Sequence, residues 1–231
     1  MMQMTQQLIS DLKKQSDSKR IEFDRAYHKS SRKHLGVTSG LLDEAIKPLV
    51  KTLDAATLRQ LADELWQTHI FDGMIAGTKI LKSKKVPRDQ ALWRLGRRWL
   101  NDCDGWALMD NLSASMREVL VEQPKYLDEV ESWTKSKNFW MRRAALVFTL
   151  PYAKPGRDPE RMLKWASSYA NDPEWFIQKA IGWWLRDLGS HNPKRVIDFL
   201  REHWDKLRSV AKHEATRKLD QQWTKNLYQN R

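Results

Sequence analysis

The segment Phe139-Trp140-Met141-Arg142-Arg143-Ala144-Ala145 can be laid over Trp175-Phe176-Ile177-Gln178-Lys179-Ala180-Ile181 at an offset of 36 residues. A fainter copy, Glu214-Ala215-Thr216-Arg217-Lys218-Leu219, lies about 39 residues beyond the second. Each copy runs aromatic, then polar and basic, then small, and is preceded by a stretch opening at Pro124, Pro159 or Pro193. A chain that repeats itself at this period builds stacked supersecondary units, because one unit alone cannot bury its apolar face.

Strand signals are sparse, with few alternating Val, Ile or Thr runs, while apolar residues of helical period recur throughout. The periodicity predicts helices over 5–14, 20–30, 41–53 (with Pro48 inside), 55–67, 71–81, 89–100, 106–121, 124–136, 139–150, 159–170, 193–207 and 210–226. Another opens at Asp172 as cap and Pro173 in the first turn and runs to 187. The expected fold is all-α: HEAT-like helical repeats stacked into a curved α-solenoid with a concave basic groove. One domain over 1–231 is expected, with the N-terminal helices, 1–35, as a cap. Recurrence in register places Arg143, Lys179 and Lys218 on the inner wall; taken singly, each reads as a solvated surface charge.

Formal net charge is +12, from 41 Lys and Arg against 29 Asp and Glu, which favours a polyanionic partner such as nucleic acid. A further cluster, Lys79 to Lys85 with Arg88, Arg94, Arg97 and Arg98, reads as a phosphate contact or as a soluble face. The single Cys103 rules out an intramolecular disulfide and a cysteine-rich metal site, and a reducing cytosol fits it. Neither a membrane span nor a secretory signal is visible, so the expected location is cytoplasmic. The six His show no metal-ligand spacing, and Gly36-Val37-Thr38-Ser39-Gly40 lacks the order of a nucleophile elbow. No metal and no cofactor are expected. Twelve Trp beside only nine Gly ask for an explanation beyond core filling.

Two local pairs carry candidate chemistry. Trp106 and Asp110 stand four apart and share one helical turn, with Leu108, Met109 and Leu112 supplying its buried side. Lys179 and Trp183 share a face of the 172–187 helix that is distinct from its apolar stripe, Phe176, Ile177, Ala180, Ile181, Trp184 and Leu185. The plainer alternatives are a surface or capping Asp110 and a Trp183 packed on a neighbouring helix.

Trp106 with Asp110, the Phe139 to Ala145 segment with Arg143, and Ile177-Gln178-Lys179-Ala180-Ile181-Gly182-Trp183 resemble the successive motifs of the AlkD-type DNA alkylation repair family. Weaker likeness extends over Glu64-Leu65-Trp66 and Leu35-Gly36-Val37, and Gln-Lys-Ala-Ile-Gly-Trp is the most specific part. The resemblance implies a HEAT-like repeat DNA glycosylase that removes N3- and N7-alkylated purines from double-stranded DNA without a deep base pocket. It further implies Asp110 as the catalytic carboxylate, Trp106 and Trp183 as aromatic walls, and Arg143 at the DNA backbone, with Arg142 beside it as a fork for phosphate. Lys179 and Lys218 join them as DNA-binding residues by the repeat register, and a monomer is expected.

The chain departs from the family at Gly105, where a second aromatic is common, and at Thr38-Ser39-Gly40-Leu41, where a Pro and an Arg are common. The competing expectation is a non-catalytic helical-repeat scaffold that binds DNA structures or protein partners.

Overall fold

In a computed structural model, which describes residues 2–229 apart from the side chains of Asn226 and Gln229, the regular elements are all helical. A bridge between Lys33 and Ile70 is the one extended pairing among the described residues. The helices fall into two compact units, one ending at Glu122 and the other beginning at Gln123.

The first unit comprises α1 (Met2–Lys14), α2 (Ser18–His28), α3 (Ser39–Thr52), α4 (Ala55–Gln67), α5 (Phe71–Leu81), α6 (Gln90–Leu100) and α7 (Trp106–Glu122). Helices α4 and α5 have the bounds their periodicity predicts. Asp17, Thr38, Asp54 and Asp89 cap α2, α3, α4 and α6 with side-chain oxygens on orphan backbone N–H groups. Helix α5 is buried on almost every side and packs against α3, α4 and α7, as a helix apolar all round must. Gly77 makes the α4 contact possible: a Cβ there would lie 2.8 Å from the Ala62 carbonyl oxygen.

The loop before α3 is tied to α5 by one buried carboxylate. Asp72 accepts the Leu35 N–H at 2.6 Å and the Val37 N–H at 2.9 Å. Gly36 between them has φ +73°, and a Cβ there would meet the Asp17 carbonyl oxygen at 2.6 Å, so only glycine fits. Hydrogen bonds to a charged group stabilise by about 1.5 to 3 kcal/mol each.

The second unit begins with a 3₁₀ turn, Pro124–Tyr126, followed by α8 (Leu127–Trp133), α9 (Phe139–Phe148) and a second 3₁₀ turn, Leu150–Ala153. Helices α10 (Glu160–Ser168), α11 (Trp175–Gly189), α12 (Pro193–His203), α13 (Ser209–Thr216) and α14 (Gln221–Gln229) complete it. Helix α11 is its centre, packed on α9, α12 and α13.

Three expectations are corrected here. The 124–136 stretch divides into the 3₁₀ turn and α8, and 210–226 divides into α13 and α14. Asp172 and Pro173 stand outside α11, which starts at Trp175 with Glu174 as its cap. Asp172 instead closes a turn on the Glu174 N–H and binds Arg142.

Eight of the twelve Trp are core residues, so core filling explains most of that excess. Trp66 and Trp99 stack 4.3 Å apart and nearly parallel, and their indole N–H groups donate to Asp102 and Asp63. Trp106 and Trp183 are half-buried, and Trp175 and Trp223 are exposed. No helix of the described residues is long and apolar enough to cross a membrane.

Candidate functional site

Within the first unit, the start of α7 is built against the end of α2. Asp104 accepts from the Ser30 hydroxyl at 2.8 Å, the Ser31 N–H at 3.0 Å and the Ser31 hydroxyl at 2.9 Å. A Cβ on Gly105 would lie 2.5 Å from the His28 carbonyl oxygen, so the backbone of α2 occupies the space a side chain at 105 would need. That close approach accounts for glycine at position 105.

Trp106 opens α7 directly after this contact. Its Nε1–H donates to the Tyr27 carbonyl at 2.7 Å, and its ring meets the Tyr27 ring edge-on at 5.2 Å. His28 lies 5.6 Å from it, in a parallel stack with Phe71 and His34. The Trp106 indole is therefore fixed in azimuth by a hydrogen bond and two aromatic neighbours. Asp110 lies one turn further along α7, half-buried, while Leu108, Met109 and Leu112 are fully buried on the far side, as the spacing predicts. Tyr27 is an aromatic partner of Trp106 that sequence reasoning missed. Its signal was the pair Phe23 and Tyr27, four apart on a helix with little apolar moment.

In the second unit, α11 shows why Gln-Lys-Ala-Ile-Gly-Trp is a unit of structure. Gln178 is fully buried: its amide nitrogen donates to the carbonyls of Tyr169, Ala170 and Asp172, and its oxygen accepts the Arg208 N–H at 3.0 Å. One side chain thus staples the loop before α11 to the start of α13. Gly182 lets α13 close in, since a Cβ there would lie 2.6 Å from Glu214 Cβ and 2.8 Å from the Ala211 carbonyl oxygen. Trp184 is buried, with its indole N–H on the Thr149 carbonyl, and Trp183 remains half-buried on the other side.

Close approach of α13 brings Glu214 beneath three cations. Lys179 donates to it at 2.5 Å and Arg217 at 3.2 Å, and Arg186 forms a further short ion pair. Burial pushes the Glu214 carboxyl up, but Lys179, Arg186 and Arg217 together outweigh it and hold it below the usual carboxylate range. The cluster keeps a net positive charge beside Trp183, and Glu214 was not singled out from sequence because its partners lie up to 35 residues away.

The other predicted cations are placed less openly. Arg142 closes its fork on Asp172 at 3.0 Å and on the carbonyls of Ser136 and Lys137, so the fork expected at phosphate is engaged inside the unit. Arg143 is 3% exposed, donates to the Phe176 carbonyl at 2.8 Å and lies over the Phe176 ring. Lys218 is exposed in the turn after α13 and is off the helix that was to carry it. Helices α9 and α11 start 36 residues apart, matching the repeat, but α13 starts 34 after α11, so His213 takes the third register position.

Much of the 79–98 cluster is structural. Lys79 binds Asp43, Lys85 caps the carbonyls of Lys51 and Leu53 at the end of α3, and Arg98 binds Asp63. Arg88 caps Leu81 and Lys82 and pairs with Glu118. Among the described residues no group of three or more His, Cys, Asp or Glu could hold a metal ion.

The family model for DNA alkylation repair enzymes matches residues 8–219. No curated protein matches the sequence. Among solved structures, a predicted DNA alkylation repair enzyme from Enterococcus faecalis superposes with a TM-score of 0.75 at 20% identity, over 89% of this chain and 97% of that one. AlkD2 from Streptococcus mutans gives 0.59 at 16% identity, over 86% and 97% of the two chains. The smu.31 protein from Streptococcus mutans gives 0.59 at 18% identity, over 78% and 92%. At these identities the likeness establishes a shared fold.

Proposed function

The chain belongs to the DNA alkylation repair enzyme family, and we propose that within it the protein is a monofunctional glycosylase for N3- and N7-alkylated purines in double-stranded DNA. Alkylation at N3 or N7 makes the purine a cation and hence a good leaving group, so no strong general acid is required. Breaking the glycosidic bond leaves the electron pair on the departing neutral base and an oxocarbenium-like charge on the sugar. Asp110 stabilises that charge and orients the water that adds at the anomeric carbon, taking up its proton.

Trp106, on the same helix as Asp110, attracts the cationic base and the charged sugar through its ring face, an effect of about 1 to 2 kcal/mol when desolvated. The half-buried indole of Trp183 is assigned the same kind of role in its own unit. Exposure favours Lys218 as a contact to DNA phosphates, and half-buried Lys179 adds its charge through the cluster on Glu214; buried Arg143 contributes positive charge and Arg142 holds the loop that frames it. No amine nucleophile is used, so neither a Schiff base nor strand nicking is expected.

The observation that carries this reading is the fixed, half-buried Trp106 with a half-buried carboxylate one turn away on the same helix. The test is release of 7-methylguanine or 3-methyladenine from methylated duplex DNA, and its loss in Asp110→Asn with DNA binding retained. Binding without release by the wild-type protein would leave only the scaffold reading.

A further inference from the structure

Helix α2 turns two large aromatic rings to water. Phe23 is 65% and Tyr27 56% exposed, and the rings stack 5.7 Å apart at an interplanar angle of 14°. Single exposed aromatics need no explanation, but these two are continuous with Trp106, which Tyr27 meets edge-on. Asp24 and His28 face inward, while Ala26 lies between the aromatic row and Arg25 and Lys29 on the outward side. Arg25 and Lys29 form no ion pair among the described residues, exposed Glu22 shares their side of the helix, and Lys19 stands one turn before Phe23. The exposed face carries no Leu, Ile, Val or Met, which a membrane surface or a protein groove would call for. Planar rings on a helix whose three unpaired cations, Lys19, Arg25 and Lys29, outnumber its one exposed carboxylate, Glu22, match a base and its phosphate.

We propose that this face of α2 is a base-stacking surface for nucleic acid, on which an unpaired base beside the lesion stacks against Phe23 while Arg25 and Lys29 take the adjoining phosphate. Tyr27 supports the Phe23 ring from behind and links it to Trp106. The inference rests on the glycosylase reading for its choice of DNA, and adds a contact that reading does not contain.

The experiment uses the full chain and a duplex carrying a tetrahydrofuran abasic analogue, with 2-aminopurine as the unpaired base opposite it. Wild-type protein is expected to change the probe's fluorescence on binding. Phe23→Ala lowers affinity about tenfold and abolishes that change, with the salt dependence unaltered because no charge is lost. Phe23→Trp restores both, which separates loss of stacking from loss of fold. Replacing both Arg25 and Lys29 by Ala lowers the slope of log affinity against log salt by about two. Wild-type affinity and signal in Phe23→Ala would overturn the proposal, as would a wild-type chain that ignores DNA but binds anionic vesicles. Since the abasic analogue has no base to release, failure of the glycosylase reading appears in the excision assay and leaves this signal intact.

Discussion

Lys179 Nζ donates to Glu214 Oε1 at 2.5 Å, joining two residues 35 positions apart in the chain. Glu214 is 4% exposed and also holds Arg186 and Arg217, so it is a buried anion under three cations, of which Arg186 pairs with Asp187 as well. Glu214→Gln leaves the cations without their counter-charge and is expected to cost about 3 kcal/mol at neutral pH, read from the urea midpoint. The pH dependence has a definite sign. A carboxyl held low in the fold stabilises above its unfolded value of about 4.3, and that stability is lost as pH falls through the folded value. The gap between wild type and variant should therefore close on acidification below about pH 4.

Trp183 and Trp184 are neighbours on one helix with opposite surroundings. Trp184→Ala empties a fully buried site and should cost about 3 to 5 kcal/mol in denaturant titration. Trp183→Ala, from a half-buried position, should cost about 1 kcal/mol in stability and lower kcat/KM for base release about tenfold. Equal stability losses in the two variants would show that both indoles are core.

The bounds of α4 were legible because local chemistry sets them: Asp54 caps the helix, and its apolar stripe is the buried one. Asp172 misled because two acids stand near one helix start, and Arg142, 30 residues back, recruits the first and leaves Glu174 to cap. The motif Gln178 to Trp183 was visible, but the reason for it was not. Gln178 acts on Arg208 and Gly182 yields to Ala211, contacts that appear only once α13 has packed. The partners of Arg142, Lys79, Lys85 and Arg98 were hidden for the same reason, since each lies at long range in the chain.

Gly105 tests how Trp106 is held. In Gly105→Ala the new methyl group would stand 2.5 Å from the His28 carbonyl oxygen, backbone that cannot swing aside. The end of α2 must shift, at an expected cost of about 1 to 3 kcal/mol, with loss of the Trp106 to Tyr27 hydrogen bond. Gly156 is the control, since a Cβ there meets nothing within 4 Å and only its φ of +77° resists substitution. Thermal melts should rank Gly105→Ala well below Gly156→Ala, and excision should fall in the former alone.

His28 gives the platform under Trp106 a pH dependence. Burial lowers its pKa, Asp24 opposes that, and His34 adds to it, with Asp72 and Arg20 also in range. The fold thus prefers the neutral ring, while the unfolded chain takes up a proton at about pH 6.5. The stability contributed is complete above that value and declines as pH falls toward the lower folded pKa. Melting temperatures measured from about pH 7.5 to 5.5 should therefore drop in the wild type and drop less in His28→Phe, which keeps the ring stack on Phe71 and carries no proton. Some slope should persist in the variant, because His203 is lowered by burial in the same direction. An unchanged slope in His28→Phe would mean that His28 stays neutral throughout, or that the unfolded chain binds no extra proton there.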